Sequence, residues 1–346
     1  MTMFQMVKVL SGYGVAAMLA AAVLNPAAAQ SLEQAKVAIA VGGQSSFYYL
    51  PLTIAERLGY FKDEGLTVEI SDFSGGAKAL QAVIGGSADV VSGAYEHVVD
   101  MQMKNQSFKA FVLQGRNPDL AIGVSKTTMP NYKVPADLKG KSIGVTAPGS
   151  STHIILTHWL TKNGVKPSEV SIIGVGATAG AVAALRAGKI DAISNIDPAM
   201  TMLESSGDIK IVADGRTTEG AKALFGGPLP AGCLYASTEF VSKHPKTVQA
   251  LTNAMVRALK WLQKATPEDV AATVPPQYLA GDKAIYLLAF AKVRESYSVD
   301  GIIPESGTRA ALQVLTSFTP AVNPASVKLA QTYDNRFAQA ANQKYK

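Results

Sequence analysis

Apolar and polar positions alternate along this chain in blocks that predict short buried strands between amphipathic helices. The apolar runs 36–41 and 67–70 enclose a segment with Pro51, which suits a first helical turn, and Gly59, which suits a helix end. This order predicts a β-α-β unit. The loop 44–49 then follows the first strand, at the edge of the sheet where open α/β folds bind ligands.

The same alternation continues to about residue 194 with one interruption. Residues 116–136, which contain three prolines, break the rhythm, and the run 141–145 restarts it. A series of this kind predicts mainly parallel sheets with helices on both faces. The expected elements are helix 77–84, strand 89–92, helix 95–104 and strand 108–113 before the break, and helix 151–163, strand 170–173, helix 178–187 and strand 191–194 after it.

A repeated segment indicates two lobes of similar construction. Shifted by 102 residues, A-V-I-G-G-S-A-D-V-V-S (82–92) aligns with A-L-R-A-G-K-I-D-A-I-S (184–194), and Asp89 meets Asp191. A chain of 346 residues also exceeds the size at which a single core stops growing. Two lobes are therefore expected.

The C-terminal third has helical periodicity. After the apolar run 232–236, which is expected to return to the first lobe as a strand, the predicted helices are 245–265, 282–297, 305–317 and 326–337. The expected domains are lobe one, residues 36–125 with 231–346 and its helical tail, and lobe two, residues 126–230.

The first 29 residues have the layout of a secretory signal peptide. Lys8 precedes the apolar run 9–24, Pro26 helps to end it, and Ala27-Ala28-Ala29 supplies a small-residue cleavage pattern. The run is shorter than the roughly 20 residues of a membrane span. We expect cleavage near Ala29 and a periplasmic location.

The net charge and the cysteine content disfavour several classes of function. The formal net charge is +6, and +5 without Lys8, with the lysines scattered along the chain. That balance disfavours nucleic acid and favours a small anion over a cation as the ligand. The single cysteine, Cys233, excludes an internal disulfide, and its setting in A-G-C-L-Y-A favours a buried small residue over a nucleophile.

Three turns rich in glycine or hydroxyl groups lie where a strand leads into a helix. Such turns present free backbone N–H groups at the positive end of a helix, which together bind anions. Simple capping of the following helix is the alternative for each turn. The turns supply the candidate ligand-binding residues Ser74, Gly75 and Gly76 from the first lobe, and Gly149, Ser150, Ser151, Thr152 and Thr178 from the second.

Other polar side chains are expected at the same cleft because they follow strands. These candidates are Gln44, Ser45, Tyr48, Ser92, Tyr95 and Asn195. For Asn195 an Asx turn is the alternative. Arg116 and Arg216 are candidates for clamping a carboxylate or sulfonate, with surface solvation as the alternative.

The histidines and glycines do not form a cofactor motif. His153 and His158 are five residues apart, which is a poor spacing for two ligands on one helix face. The sequence contains no paired Cys-x-x-Cys, no His-Glu-x-x-His and no Walker loop. No metal, no cofactor and no catalytic residue are expected.

One stretch carries a family resemblance. The segment P-L-T-I-A-E-R-L-G-Y-F-K-D-E-G-L-T-V-E (51–69), followed by S-G-G (74–76), resembles the opening of solute-binding proteins of ABC importers for nitrate, sulfonates and taurine. That superfamily also includes thiamine-pyrimidine synthases. The resemblance implies a type II periplasmic binding protein fold, with the ligand in the interlobe cleft and a hinge at crossings near 121–126 and 229–236.

The expected function is that of a monomeric substrate-binding component that closes two lobes on a small organic anion and delivers it to an ABC permease. A neutral heterocycle, such as a thiamine-precursor pyrimidine, is the alternative ligand. A ligand-sensing partner of a membrane receptor would use the same closed form. An enzyme on the same fold, a desulfinase or a pyrimidine synthase, is a further alternative.

Overall fold

The computed structural model describes residues 31–279, 281–319 and 323–346. The predicted signal peptide, residues 1–29, lies outside these described residues. Among the described helices, none is both long enough and apolar enough to cross a membrane.

The described residues contain ten strands in two five-stranded sheets, ordered β2-β1-β3-β10-β4 and β7-β6-β8-β5-β9. One strand of each sheet, β10 or β5, runs antiparallel to both neighbours, and the other four share one direction. The predicted mainly parallel α/β fold with two lobes is confirmed. The strands are β1 (Lys36–Val41), β2 (Thr67–Asp72), β3 (Val90–Ala94), β4 (Phe108–Leu113), β5 (Leu120–Ser125), β6 (Ser142–Val145), β7 (Ser171–Gly174), β8 (Ala192–Ile196), β9 (Ile209–Asp214) and β10 (Gly232–Ser237).

Helices flank both sheets and form most of the C-terminal tail. They are α1 (Leu50–Arg57), α2 (Tyr60–Asp63), α3 (Gly76–Ile84), α4 (Tyr95–Met103), α5 (Ser151–Lys162), α6 (Ala179–Arg186), α7 (Ala199–Ser205), α8 (Thr218–Phe225), α9 (Thr238–Lys243), α10 (Pro245–Lys264), α11 (Pro267–Thr273), α12 (Lys283–Val293), α13 (Glu305–Thr316) and α14 (Arg336–Lys344).

Each crossing between the lobes enters the other sheet as its antiparallel strand. β5 follows β4 of the first sheet but pairs with β8 and β9 of the second, and β10 follows β9 but pairs with β3 and β4. The expected boundary at residue 125 would place β5 in lobe one, whereas its ladder completes the second sheet. Below, lobe one is residues 31–119 with 231–346, and lobe two is residues 120–230.

The tail differs from the sequence prediction in several places: α9 and α11 were not predicted, and the expected helix 282–297 ends at Val293. The expected helix 326–337 is wrong: short 3₁₀ turns occupy Pro324–Ser326 and Leu329–Gln331, and α14 begins only at Arg336. The backbone between them is extended because Ala110 of β4 donates its N–H to Thr332 and accepts the N–H of Asp334. A long-range pairing with the first sheet therefore overrides the local helical pattern.

The repeated aspartate fastens β1 to β3 in lobe one and β6 to β8 in lobe two. Asp89 Oδ2 accepts the N–H of Ala38 at 2.8 Å, and Asp191 Oδ2 accepts the N–H of Ser142 at 3.0 Å. Each aspartate also donates its own N–H to the carbonyl of the same partner residue. The sequence repeat therefore corresponds to a repeated bond between neighbouring parallel strands.

This bond predicts a matched loss of stability in both lobes. Asp89→Ala and Asp191→Ala each leave one strand N–H without its acceptor, so each variant is expected to lower the free energy of unfolding by about 1–2 kcal/mol. Glu69→Ala is the control: its ion pair with Lys36 is exposed, and we expect a change within about 0.5 kcal/mol. Urea unfolding measures all three. Wild-type midpoints for both aspartate variants would contradict the interpretation.

Candidate ligand-binding site

A small cavity lies between the two lobes where α3, α4 and α5 begin. Its volume is about 20 Å³, close to the space that one water molecule requires. A larger occupant therefore requires the lobes to lie farther apart than they do here. We call this the polar cavity; lobe one lines it with Gly42, Tyr48, Tyr49, Gly76, Ala94 and His97, and lobe two with Thr146, Ser150, Ser151, Thr152 and Ile196.

Ser150 joins the first turns of two helices across the cleft. It occupies the N-cap position of α5, but its side chain caps no group of that helix. Instead Ser150 Oγ accepts the N–H of Ala77, in the first turn of α3, at 3.0 Å. The simple capping alternative therefore does not describe Ser150, because its hydroxyl caps the helix of the opposite lobe.

A buried carboxylate lies beside the polar cavity. The Ser151 hydroxyl of lobe two donates to Oε1 of Glu96 in α4, and Glu96 is 1% exposed. Burial raises the pKa of Glu96 to about 7, although the Ser151 hydrogen bond opposes part of that rise. Oε2 has no hydrogen-bond partner among the described residues.

His97 forms a third bond between the lobes. Its Nε2 lies 3.2 Å from the carbonyl oxygen of Gly149, and its Nδ1 lies 3.2 Å from the Tyr235 hydroxyl. Because a carbonyl only accepts, Nε2 carries the proton and Nδ1 accepts from Tyr235. Burial lowers the pKa of His97, so the ring is neutral at pH 7.

The backbone of lobe one approaches lobe two closely at Gly75. A Cβ at this position would lie 2.9 Å from both the Ala147 Cβ and the Ser150 Oγ. Its φ of −179° is ordinary extended backbone, so the constraint on a side chain here comes from the opposite lobe alone. Glycine at position 75 therefore permits the lobes to meet.

The structure brings several of the sequence candidates to this place. Tyr48, Gly76, Ser150, Ser151 and Thr152 line the polar cavity, and Gly75 and Gly149 contact the opposite lobe. Their role in ligand binding stays a prediction.

Four other candidates lie elsewhere. Ser45 and Thr178 line a second cavity of about 220 Å³, together with residues such as Met202 and Tyr278. Gln44 is half-buried and donates to Glu56, and Ser74 is exposed.

Three more candidates bond within their own lobe and do not line the polar cavity. Ser92 accepts from Gln114 beneath the cleft, and the Tyr95 hydroxyl contacts Thr332 of the tail. Asn195 donates to the carbonyl of Gly176 and accepts the next N–H of its own chain. Each of these polar atoms is satisfied locally, as buried polar groups normally are.

Neither candidate arginine reaches the polar cavity. Arg116 is exposed and donates to the carbonyl of Glu295. Arg216 is 2% exposed, so the surface alternative is wrong for it. It pairs with Asp214 at 2.6 Å, Glu204 at 3.0 Å and Asp197 at 3.5 Å. These carboxylates hold Arg216 within lobe two.

Sequence reasoning missed Glu96 and Tyr49 and gave His97 no role in the cleft. The signal for Glu96 and His97 was the strand–helix junction A-Y-E-H (94–97), in which only Tyr95 was predicted to face the ligand. Because α4 begins at Tyr95, successive side chains diverge by about 100°, so Tyr95 turns to the tail while Glu96 and His97 turn to the cleft. Residue type alone did not indicate which of the three faces the ligand side.

Two further expectations, a buried cysteine and the lack of a metal site, concern residues that do not line the polar cavity. Cys233 is fully buried in β10, as predicted, and burial raises its pKa well above the ordinary value. Among the residues that the structure describes, no group of three or more His, Cys, Asp or Glu side chains is placed to hold a metal ion.

Several solved structures share this fold. A protein from Bordetella bronchiseptica RB50 is 58% identical over 91% of this chain and 99% of its own, with a TM-score of 0.90. The alkanesulfonate-binding protein SsuA from Xanthomonas axonopodis pv. citri, bound to MOPS, is 19% identical over 88% and 100%, with a TM-score of 0.66. The periplasmic nitrate-binding protein NrtA from Synechocystis PCC 6803 is 15% identical over 91% and 90%, with a TM-score of 0.68.

Sequence comparison identifies the family. YtlA of Bacillus subtilis strain 168, which carries the description of a candidate binding protein, is 22% identical over 75% of this chain and 77% of its own. The bicarbonate-binding protein CmpA of Synechococcus elongatus is 24% identical over 71% of this chain and 59% of its own. The profile described as NMT1/THI5 like matches residues 46–269. The chain is a member of the NMT1/THI5 like family.

Proposed function

We propose that this protein is the substrate-binding component of an ABC-type importer. It captures a small organic anion of the sulfonate, taurine or nitrate class in the periplasm, closes two lobes around it, and delivers it to a permease in the inner membrane. Relatives described as sulfonate-, nitrate- and bicarbonate-binding proteins support this role.

One observation carries the proposal: three residues that line the polar cavity also bond to the opposite lobe. Ser150, Ser151 and His97 each line the cavity, and each forms a hydrogen bond to the opposite lobe. A ligand that fits between them favours the closed state over the open one, which is all that capture by closure requires.

The N-termini of two helices, α3 and α5, favour a ligand with a negatively charged end. In these first turns Ala77 and His153 already donate to Ser150, and Lys78 donates to Gly75. The N–H groups of Gly76, Ser151 and Thr152, which line the cavity, have no acceptor within their own helices. Helix N-termini favour negative charge through the helix dipole. Hydroxyl groups of the same turns supply further donors.

A neutral heterocycle is the second candidate, and one observation favours it. The described residues that line the cavity include no lysine or arginine, and Arg216 is bound by carboxylates elsewhere. The rings of Tyr48 and Tyr49 offer aromatic contact to a planar solute. A pyrimidine therefore competes with a sulfonate for this site.

We propose binding rather than catalysis as the activity. A cysteine nucleophile reacts as the thiolate, whereas burial keeps Cys233 in the thiol form and away from solvent. For this reason Cys233 does not suit the role of the nucleophile that the desulfinase alternative requires.

A thermal-shift screen with recovery of the compound tests the proposal. Sulfonates, taurine, nitrate, small carboxylates and pyrimidines are each added at about a hundredfold excess over Kd, which raises stability by about 2.7 kcal/mol when the native state alone binds. We expect one class to raise the midpoint and to be recovered unchanged. Chemical conversion of any compound would favour an enzyme, and no shift with any compound would count against the binding role.

Gly75→Ala tests closure separately from ligand chemistry. The new methyl group would meet Ala147 and Ser150 at 2.9 Å, so it wedges the lobes apart without removing any donor. Overpacking of about 1–3 kcal/mol corresponds to a loss of about 5- to 150-fold in affinity. We expect unchanged unfolding, weaker binding by calorimetry, and no decrease in the radius of gyration on addition of the ligand.

Gly227→Ala is the matched control for this wedge. No atom lies within 4 Å of a Cβ built at Gly227, so this variant should bind and close as the wild type does. If Gly75→Ala binds with wild-type affinity, closure at this contact is not part of capture.

A further inference from the structure

Two buried oxygen atoms near the polar cavity lack hydrogen-bond partners. The Ser151 hydroxyl donates a hydrogen bond to Oε1 of Glu96, whereas Oε2 has no partner among the described residues. The hydroxyl of Tyr48, which lines the cavity, also has no hydrogen bond of ordinary geometry in the described part of the chain, although the Ser151 hydroxyl lies near it. Buried polar groups are normally paired, so these atoms mark where an occupant completes the site.

The chemistry around Glu96 restricts what that occupant is. His97 is neutral, and the described lining residues include no lysine or arginine that would offset an ionised carboxylate. An anion that only accepts hydrogen bonds would place its lone pairs against Oε2. An N–H or O–H group would instead donate to it.

We propose that Glu96 determines the specificity of this site and that it selects solutes carrying an N–H or O–H donor. The inference rests on the proposed function and narrows its ligand class. The donor bonds to Oε2, and the opposite end of the solute lies at the first turns of α3 and α5. Among sulfonates taurine fits this requirement, because it carries an ammonium group, and among heterocycles an aminopyrimidine fits.

Glu96 also makes binding depend on pH. The other titratable groups facing it are Tyr48, Tyr49, Tyr235 and Cys233, whose pKa values burial raises so that they stay neutral. Since the pKa of Glu96 is about 7, a solute that needs the ionised form gains affinity as the pH rises through that value. An acceptor-only anion prefers the neutral form and loses affinity over the same range.

The experiment compares solutes that differ in the donor group, which in taurine also carries a positive charge. Calorimetry on the purified protein measures taurine against ethanesulfonate, and 4-aminopyrimidine against 4-methylpyrimidine, between about pH 6 and pH 8. For the pair that binds, we expect the donor-bearing member to bind at least about tenfold more tightly at the upper pH. For taurine, the affinity should also rise with pH.

Glu96→Gln should reduce the preference within that pair to less than about threefold and flatten its pH dependence. Glu219→Gln is the matched control, since Glu219 is exposed on α8, and it should retain both properties. The wild-type comparison needs no variant, so a folding defect in Glu96→Gln leaves the test intact.

Equal binding of both members, or tighter binding of ethanesulfonate, would overturn the role of Glu96 while leaving the binding function in place. Wild-type selectivity in Glu96→Gln would do the same. Failure of all four compounds to bind would overturn this inference, and the binding function itself falls only if the wider solute screen is also silent.

Discussion

At one contact between the two lobes, lobe one has a glycine, so its main chain is not covered by a side chain. Because Gly75 has no side chain, the start of α3 comes close enough for Ser150 to accept the N–H of Ala77 at 3.0 Å. The same approach places Ser151 within reach of Glu96. The hydrogen bonds that border the polar cavity therefore depend on a steric condition, since donors and acceptors on separate lobes bond only if the main chains can approach.

The duplicated architecture explains why two helix beginnings face each other. An aspartate ties β3 to β1 in lobe one and β8 to β6 in lobe two, and the connections at the carboxyl edge of the parallel strands lead into helices. Two such edges facing across a cleft bring two sets of unpaired N–H groups together. The antiparallel strands β5 and β10 follow the two connections between the sheets, so the lobe closure proposed above would bend these connections while each sheet keeps its own ladder.

Local periodicity predicted much of the fold, and long-range pairing accounts for what it missed. The strands β1 and β4 and the helix α5 follow from short patterns that each contain their own start and end. The strand β5 was seen only as an apolar run, because its place in the second sheet depends on partners about 70–90 residues away. Residues 326–335 were predicted as helix because their pairing with Ala110 is invisible to any local window. Of the site, the hydroxyl turns were predictable, whereas the choice between Tyr95 and Glu96 required the orientation of α4.

A buried acid beside two helix N-termini explains how this site can operate without an arginine. Each N-terminus carries the equivalent of about half a positive charge, so the two N-termini partly offset an ionised Glu96 where no lysine or arginine does so. A solute with both a donor and an acceptor end matches such a field, whereas a simple anion would need a further cation. Proteins described as binding sulfonate and nitrate share this fold. On the proposal made above, specificity on such a common frame resides in a few side chains at the helix beginnings, and Glu96 is the side chain whose charge decides the sign of the field.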